Sequence, residues 1–469
     1  MQWLTIFAAM IVTEHALSQS LDSRMQLRPL AVDRQVLPES NLPPLPEMPS
    51  GFLDAASVDS NPEFAQTYTL DGLLALAAEN NPTIRQAGLQ ISAETAKALQ
   101  AGLYPNPLLM YVGEKMNSDG KAGEFQGFEL QQRFVTAGKL QLSRLKYRQR
   151  AHVAEHLAIA QQYRVSNDVQ RQFYMALAAM ERVTLQNELL KTAEDGAVTS
   201  RELFNQGQAN LPDVRKANVK LQHQRLEVLN AENEYQEAFR KLTSLVGCPM
   251  EMGSMTGSLR PEVALPDFET RYAELIGSSP EVLAAKAKLA ADQTTVQRES
   301  VQWIPDIVVQ AGPGYNFSNN DPVYNASVRL EVPIFDRNQG TIMQAQRDLQ
   351  RQQEEIRRTE LNLRERLAMA YRKYATALQH ATEYERVFIP ERKAAYTELL
   401  QSYQDNRVDW EDVLHAQQEF FTARLEQISQ FRDVRVQEVL IDGFLLEGGL
   451  MAAQDPTPPG HIDAIPKPR

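Results

Sequence analysis

The clearest pattern in the chain is an alternation of apolar and polar positions from Val323 to Val332. Tyr324, Ala326, Val328, Leu330 and Val332 fall on one side, and Asn325, Ser327, Arg329 and Glu331 on the other. A period of two predicts a strand with one apolar and one polar face. Pro333 ends the ladder because it has no N–H to donate. The segment Phe335-Asp336-Arg337-Asn338-Gln339-Gly340 then turns the chain into a long helical run, Gly340 to Gln404. In that run Leu363, Leu367, Ala370, Tyr374, Ala377, Ala381, Tyr384 and Phe388 keep 4-3 spacing, the seam of a coiled coil. At 1.5 Å per residue such a helix reaches ~100 Å, about three times the ~30 Å hydrocarbon thickness of a bilayer. A short two-faced strand feeding so long a helix suits a strand with lipid on one side and water on the other.

The same plan occurs twice. Asn80-Asn81-Pro82 answers to Ser278-Ser279-Pro280, Tyr104-Pro105-Asn106 to Ile304-Pro305-Asp306, and Phe134-Val135-Thr136 to Ile334-Phe335-Asp336. Asp213-Val214 with Ala217 answers to Asp412-Val413 with Ala416. Four landmarks in one order at one spacing of roughly 200 residues predict a duplicated unit, far longer than a solenoid repeat. The predicted repeats are 67–247 and 267–447, joined by a linker over 248–266. In each, a first helix (Leu70 to Leu103; Phe268 to Trp303) precedes a β-hairpin over 108–135 or 307–332. The first hairpin's second strand also alternates, with Phe128, Leu130 and Phe134 against Glu129, Gln131 and Arg133. A long helix follows (Ala137 to Asn205; Gly340 to Gln404), the first with its own seam at Val165, Val169, Phe173, Ala176, Met180 and Val183. Tips at 206–212 and 405–410 lead into return helices, from about Asp213 to Leu245 and from Glu411 to Leu446.

The ends differ in kind. Residues 1–18 read as a signal peptide: Trp3 to Val12 is apolar but too short to span a bilayer, and Ala16-Leu17-Ser18 resembles a cleavage site, although no Lys or Arg precedes the run. A Pro-rich leader over 19–66 and a Pro-rich tail over 448–469, loose from about Gln454, frame the repeats. No later stretch is apolar enough for a transmembrane helix, so a membrane-spanning form must be a barrel. Four strands cannot close one, since the smallest membrane barrels use about eight, and an open edge in lipid is not allowed. Three copies of four strands make twelve, wide enough to leave a hollow.

Composition narrows the function classes. The 469 residues carry a net charge of −12, against nucleic-acid binding, which needs clustered Lys and Arg. An acidic balance fits a duct that tolerates cations better than anions. Cys248 is the single cysteine, so there is no intramolecular disulfide framework. Neither a nucleophile elbow, a P-loop nor a glycine-rich dinucleotide turn is present, which argues against an enzyme and leaves transport energy to a partner. His152 and His156 sit four apart on a helix but lack a third ligand, and read as a polar helix face. Cys248, Met250, Met252 and Met255 form a soft-ligand string for Cu(I), set against the simpler reading of a chain break at Gly247 and Pro249. No metal or cofactor site is predicted.

The chain resembles the TolC family of outer membrane efflux factors, and within it the outer membrane component of cobalt-zinc-cadmium type metal efflux systems. The resemblance rests on Tyr104-Pro105-Asn106-Pro107, Thr136-Ala137-Gly138-Lys139, the run Val332 to Gly340, Phe388-Ile389-Pro390, and Asp412 to Gln417. It implies an α+β membrane protein, a homotrimer whose twelve-stranded β-barrel sits in outer membrane lipid and continues as an α-helical barrel across the periplasm. It also implies docking, tip first, onto a periplasmic adaptor (a membrane fusion protein) and an inner-membrane pump. The docking positions would be Leu203, Gly207, Asn210 and Asp213 in the first tip and Asn406, Asp409 and Asp412 in the second. In a trimer, Asp405, Asp409 and Asp412 would recur as acidic rings that focus cations; as ordinary helix ends, Asp409 would be an N-cap. The function implied is a passive exit duct for heavy-metal cations. The alternatives are a duct for organic toxicants or proteins and, from another class, a soluble coiled-coil scaffold, which would have no use for duplicated hairpins.

Overall fold

The computed structural model describes residues 66–115, 124–207, 209–261, 267–405, 407–457 and 460–462. The signal segment 1–18 and all of the leader except Gln66 lie outside the described residues. The first half comprises β1 (Thr67–Thr69), α1 (Leu70–Asn80), α2 (Pro82–Ala101), β2 (Leu108–Glu114), β3 (Phe125–Phe134), α3 (Lys139–Asn205) and α4 (Leu211–Val246). The second comprises β4 (Ser254–Thr256), α5 (Phe268–Ser278), α6 (Pro280–Val301), β5 (Ile307–Asn316), β6 (Asp321–Leu330), α7 (Gln339–Glu383), a π turn at Tyr384–Phe388, α8 (Ile389–Gln404) and α9 (Trp410–Asp442).

Three expectations change. The first helix of each half is broken: Asn81 closes α1 through its N–H to the Ala77 carbonyl (2.9 Å), and its side chain accepts from Thr83 N (2.9 Å) to start α2. Pro82 takes the first helical position, where a missing N–H costs nothing, and the residue before it is extended. At Ser279-Pro280 the Ser279 N–H donates to the Leu275 carbonyl (2.8 Å) to close α5 and Pro280 takes the first position of α6, but the Ser279 side chain makes no capping bond. The second long helix is interrupted too, because Ile389 N donates to the Tyr384 carbonyl five residues back, in a widened turn that accommodates the ring of Pro390. The coiled-coil seam is buried from Leu363 to Ala381 and stops there; Phe388 is exposed.

The third change is the tail, whose described residues are tied to α3 and, at His461 and Ile462, also to α6 and α7, rather than loose. A Pro-rich segment forms no ladder of its own, so its backbone groups need partners elsewhere. Just before the tail, Asn167 Nδ2 donates to the carbonyls of Gly443 (2.7 Å) and Leu446 (2.8 Å), and at its start Asp168 accepts from the N–H groups of Gly448 and Gly449. Gln161 Nε2 donates to the Gly449 and Met451 carbonyls. At the end, His461 and Ile462 are buried. Arg150 Nη2 is 2.7 Å from Asp292, which is also 3.1 Å from His461 Nε2, and Ile462 N donates to Asp348. This buried ionic cluster joins α3 of the first half to α6 and α7 of the second.

The four long strands form one antiparallel sheet in the order β2-β3-β5-β6, so the two hairpins lie side by side. A second pairing, β1 with β4, is parallel and ties the start of the first half to the inter-repeat linker. The helical core has one cluster around Leu73, Phe173, Leu177, Phe239 and Leu242, and another around Leu363, Leu367, Tyr374, Val434 and Ile441. Among the described residues no helix is long and apolar enough to cross a membrane.

Candidate functional site

On the central strand β3 a carboxylate is covered while large apolar side chains stand exposed. On β3, Phe125, Gly127 and Glu129 are buried, whereas Phe128 and Leu130 are 58% and 51% exposed. Glu129 accepts from Gln310 Nε2 on β5 and from Asn325 Nδ2 on β6 (3.3 Å), so a buried carboxylate is satisfied by two amides on the same face. Ring contacts on the other face, such as Tyr111 with Phe128 at 5.5 Å between centroids, stand in the open. A water-facing sheet would be arranged the other way round; this order is that of a wall with lipid outside and water within.

The joint between sheet and helices is ionic. Asp306, just before β5, accepts from Arg133 Nη2 (2.7 Å), Lys139 Nζ (2.8 Å) and Thr136 N (3.2 Å). Arg133 is at the end of β3 and Thr136 and Lys139 follow it, so the joint clamps one half onto the other.

At the far end of the helices, α3 ends at Gln206 and Gly207, the latter at φ +74°, a conformation glycine adopts without a Cβ penalty. Asn210 caps α4, and its N–H donates to Asp213 Oδ2 (3.1 Å). In the second tip Asp405 closes α8 and lies 3.6 Å from Arg407. Asp409 occupies the N-cap position of α9, but its side chain makes no capping hydrogen bond. The two tips share a cleft of about 860 Å³ lined by Leu203, Asn210, Asp213, Asp409, Trp410 and Lys220, among others. Of the predicted tip residues, the cleft gathers Leu203, Asn210, Asp213 and Asp409. Gly207, Asp405 and Asp412 are exposed outside it, and Asn406 lies outside the described residues.

The cleft is not uniformly acidic. Lys216 faces Glu411 across the tips (3.5 Å), and Lys220 Nζ reaches the Leu414 carbonyl (3.4 Å). Burial holds the Lys220 ammonium below the usual lysine range. Lys216 and Lys220 were missed from sequence, though their spacing of four on one helix face was the available signal. The Trp410 ring lies tilted against Tyr403 (4.9 Å between centroids) and its buried indole N–H has no acceptor among the described residues. A second groove of about 810 Å³ shares Lys216, Ala217, Lys220, Leu414 and Gln418 and continues between α3, α4 and α9 past Phe421.

Neither candidate metal pair gathers a ligand set among the described residues. His152 lies 3.0 Å from Glu155 on an exposed face. Met255 is buried with its N–H on Met180 Sδ (3.4 Å), while Cys248 and Met250 pack against the first core and Met252 is exposed.

The pattern of the family described as outer membrane efflux protein matches residues 73–248 and 272–440, one segment in each half. The chain is 26% identical over 388 residues to the cobalt-zinc-cadmium resistance protein CzcC of Cupriavidus metallidurans, covering 82% of this chain and 91% of that one. It is 26% identical over 266 residues to the nickel and cobalt resistance protein CnrC of the same organism, covering 56% and 62%. Among solved structures, CusC superposes with a TM-score of 0.69 at 18% identity, covering 88% of this chain and 99% of that one.

Proposed function

Because this chain belongs to the outer membrane efflux protein family, we propose that it is the exit duct of a tripartite efflux system carrying heavy-metal cations. It sits in the outer membrane as a homotrimer and reaches into the periplasm, where a periplasmic adaptor and an inner-membrane pump of the RND type deliver the cargo. The duct is passive; the pump supplies the energy. The observation that carries this reading is the inverted strand β3, with Glu129 buried on one face and Phe128 and Leu130 exposed on the other. Helix α3, at 67 residues, has the ~100 Å reach needed beyond the membrane. The resistance proteins it resembles over most of its length support metal cations as the cargo.

The tips supply the entrance. Leu203, Gly207, Asn210, Asp213 and Asn406 form the adaptor-docking surface, and threefold recurrence of Asp405, Asp409 and Asp412 lines the entrance with negative charge. The exposure of Asp405, Asp409 and Asp412 supports this assignment.

The test is expression, with its pump and adaptor, in a metal-sensitive strain lacking an exit duct. Restored tolerance to cobalt, zinc or cadmium, with a heat-sensitive trimer in the outer membrane fraction, is expected. A soluble, monomeric helical protein would overturn the duct. A trimer that restores tolerance only to organic toxicants would overturn the metal assignment.

A further inference from the structure

The duplicated unit carries enough register information to specify how one copy meets the next. Strands β2 and β6 are the two edges of the sheet, and an edge presents unpaired N–H and C=O groups. Tyr324 and Val328 on β6 are 85% and 71% exposed, and Leu109 and Tyr111 on β2 are 70% and 54% exposed.

Pro105 and Pro305 stand immediately before the hairpins, 200 positions apart. The same shift carries β2 onto β5 and preserves faces. Leu109 and Tyr111 lie on the apolar face through their partners Leu130 and Phe128, and Val309 and Ala311 lie on it through Val328 and Ala326. Leu109 faces Leu130 and Val309 faces Val328, so Val328 is the β6 counterpart of Leu130. Shifting by an odd number would exchange the faces of every residue.

Within the chain, β3 and β5 already form the junction between hairpins: Leu130 faces Ala311 and Gln131 faces Gln310. Replacing each residue by its counterpart gives the junction between copies. We infer that β6 of one copy pairs antiparallel with β2 of a second copy in a single register. Val328 stands opposite Tyr111 of the neighbour, Arg329 opposite Met110, and Ser327 opposite Val112. This inference rests on the trimeric duct proposed above.

Two further observations support the register. Passing from Leu109 through Leu130 to Ala311 advances two residues beyond Val309, the counterpart of Leu109. At about 3.3 Å per residue and 4.8 Å between strands, that stagger gives a tilt of ~35°, within the range of closed barrels. The joint also remains complementary. Asp306 accepts from Arg133 within the chain; the counterparts are Asn106 and Glu331, both exposed, so that an amide donates to a carboxylate with the polarity reversed.

Cysteine cross-linking in the full-length trimer tests this, in a Cys248→Ser background so that no native thiol competes. Arg329→Cys with Met110→Cys, and separately Ser327→Cys with Val112→Cys, place both thiols on the water side. The two edges of one chain are separated by two intervening strands, so any disulfide joins neighbouring copies. Both pairs should convert most of the protein into linked dimers and trimers on a denaturing, non-reducing gel. The shifted pairs, Arg329→Cys with Val112→Cys or with Leu108→Cys, hold their Cα atoms ~8 Å apart, beyond disulfide reach, and should leave monomers. Preferential linking of a shifted pair, or no linking in a protein whose native mass is trimeric, overturns the register while leaving the trimeric duct in place. A variant set and parent that are all monomeric in detergent would overturn the duct, and the register with it.

Discussion

The two tips occupy the same place in the duplicated unit but are built differently. The first ends an uninterrupted helix of 67 residues, turns at a glycine with positive φ, and restarts with an N-cap whose N–H is held by Asp213. The second follows a π turn twenty residues earlier at Tyr384, and Asp409 restarts the helix with no side-chain bond. Behind the first tip α3 still buries Gly196 and Ser200, whereas α8 buries none of its described side chains. Duplication supplied two equivalent helix pairs; the lost cap and the widened turn make the second the more easily moved. The region of lower local stability is therefore the one carrying Asp405 and Asp409.

The largest effect should come from cutting the tie that both halves share. Arg150→Ala leaves Asp292 and His461 buried without their guanidinium, and breaking a buried ion pair costs about 3–5 kcal/mol. Thermal unfolding should show the loss, and a drop confined to one half would mean the cluster does not couple them.

Next in size is the cap comparison. Asp213→Ala removes the bond to Asn210 N, worth about 1 kcal/mol, and should accelerate amide exchange at 210–214 roughly fivefold. Asp409→Ala removes no such bond and should change exchange at 409–413 very little. Equal effects at the two tips would erase the distinction drawn here.

The smallest effect concerns Lys220, whose ammonium burial disfavours. Between its lowered folded value and the ordinary lysine value, the unfolded chain binds a proton that the folded chain has released, so stability rises with pH across that window. Below the window both states are protonated and the slope disappears. Lys220→Met should remove the alkaline rise in unfolding free energy near the first tip. An unchanged pH profile would show that the residue is solvated.

Much of this was legible because it depends on neighbours in sequence. The alternation at 323–332 and 128–134 set the faces of β6 and β3, since side chains leave a strand on opposite sides in turn. The Asn81-Pro82 and Ser279-Pro280 breaks are local in cause, since the residue before a proline disfavours the helical conformation, but the apolar pattern on either side of them runs on as one helix. The π turn is harder to see, because Tyr384 and Phe388 keep the heptad spacing that the backbone abandons. At the candidate site, the tip positions followed from helix ends, but which of them share a cleft did not. Lys220 and Trp410 come to that cleft from separate helices whose packing no local pattern encodes.

The sequence by itself determined the duplicated plan, the strand faces and the tips, all consequences of periodicity and of residues that stop a ladder or a helix. Only the tertiary structure decided that Glu129 of β3 is the buried carboxylate of the sheet, held by Gln310 and Asn325. It also decided that the tail is bound to α3 at Gly449 and Met451 and locked at His461. The reason is physical: periodicity says which residues share a face, but whether that face is covered depends on sheet curvature and on segments hundreds of residues away. The partners of a buried carboxylate or a docked backbone are chosen by geometry in space, which no spacing along the chain records.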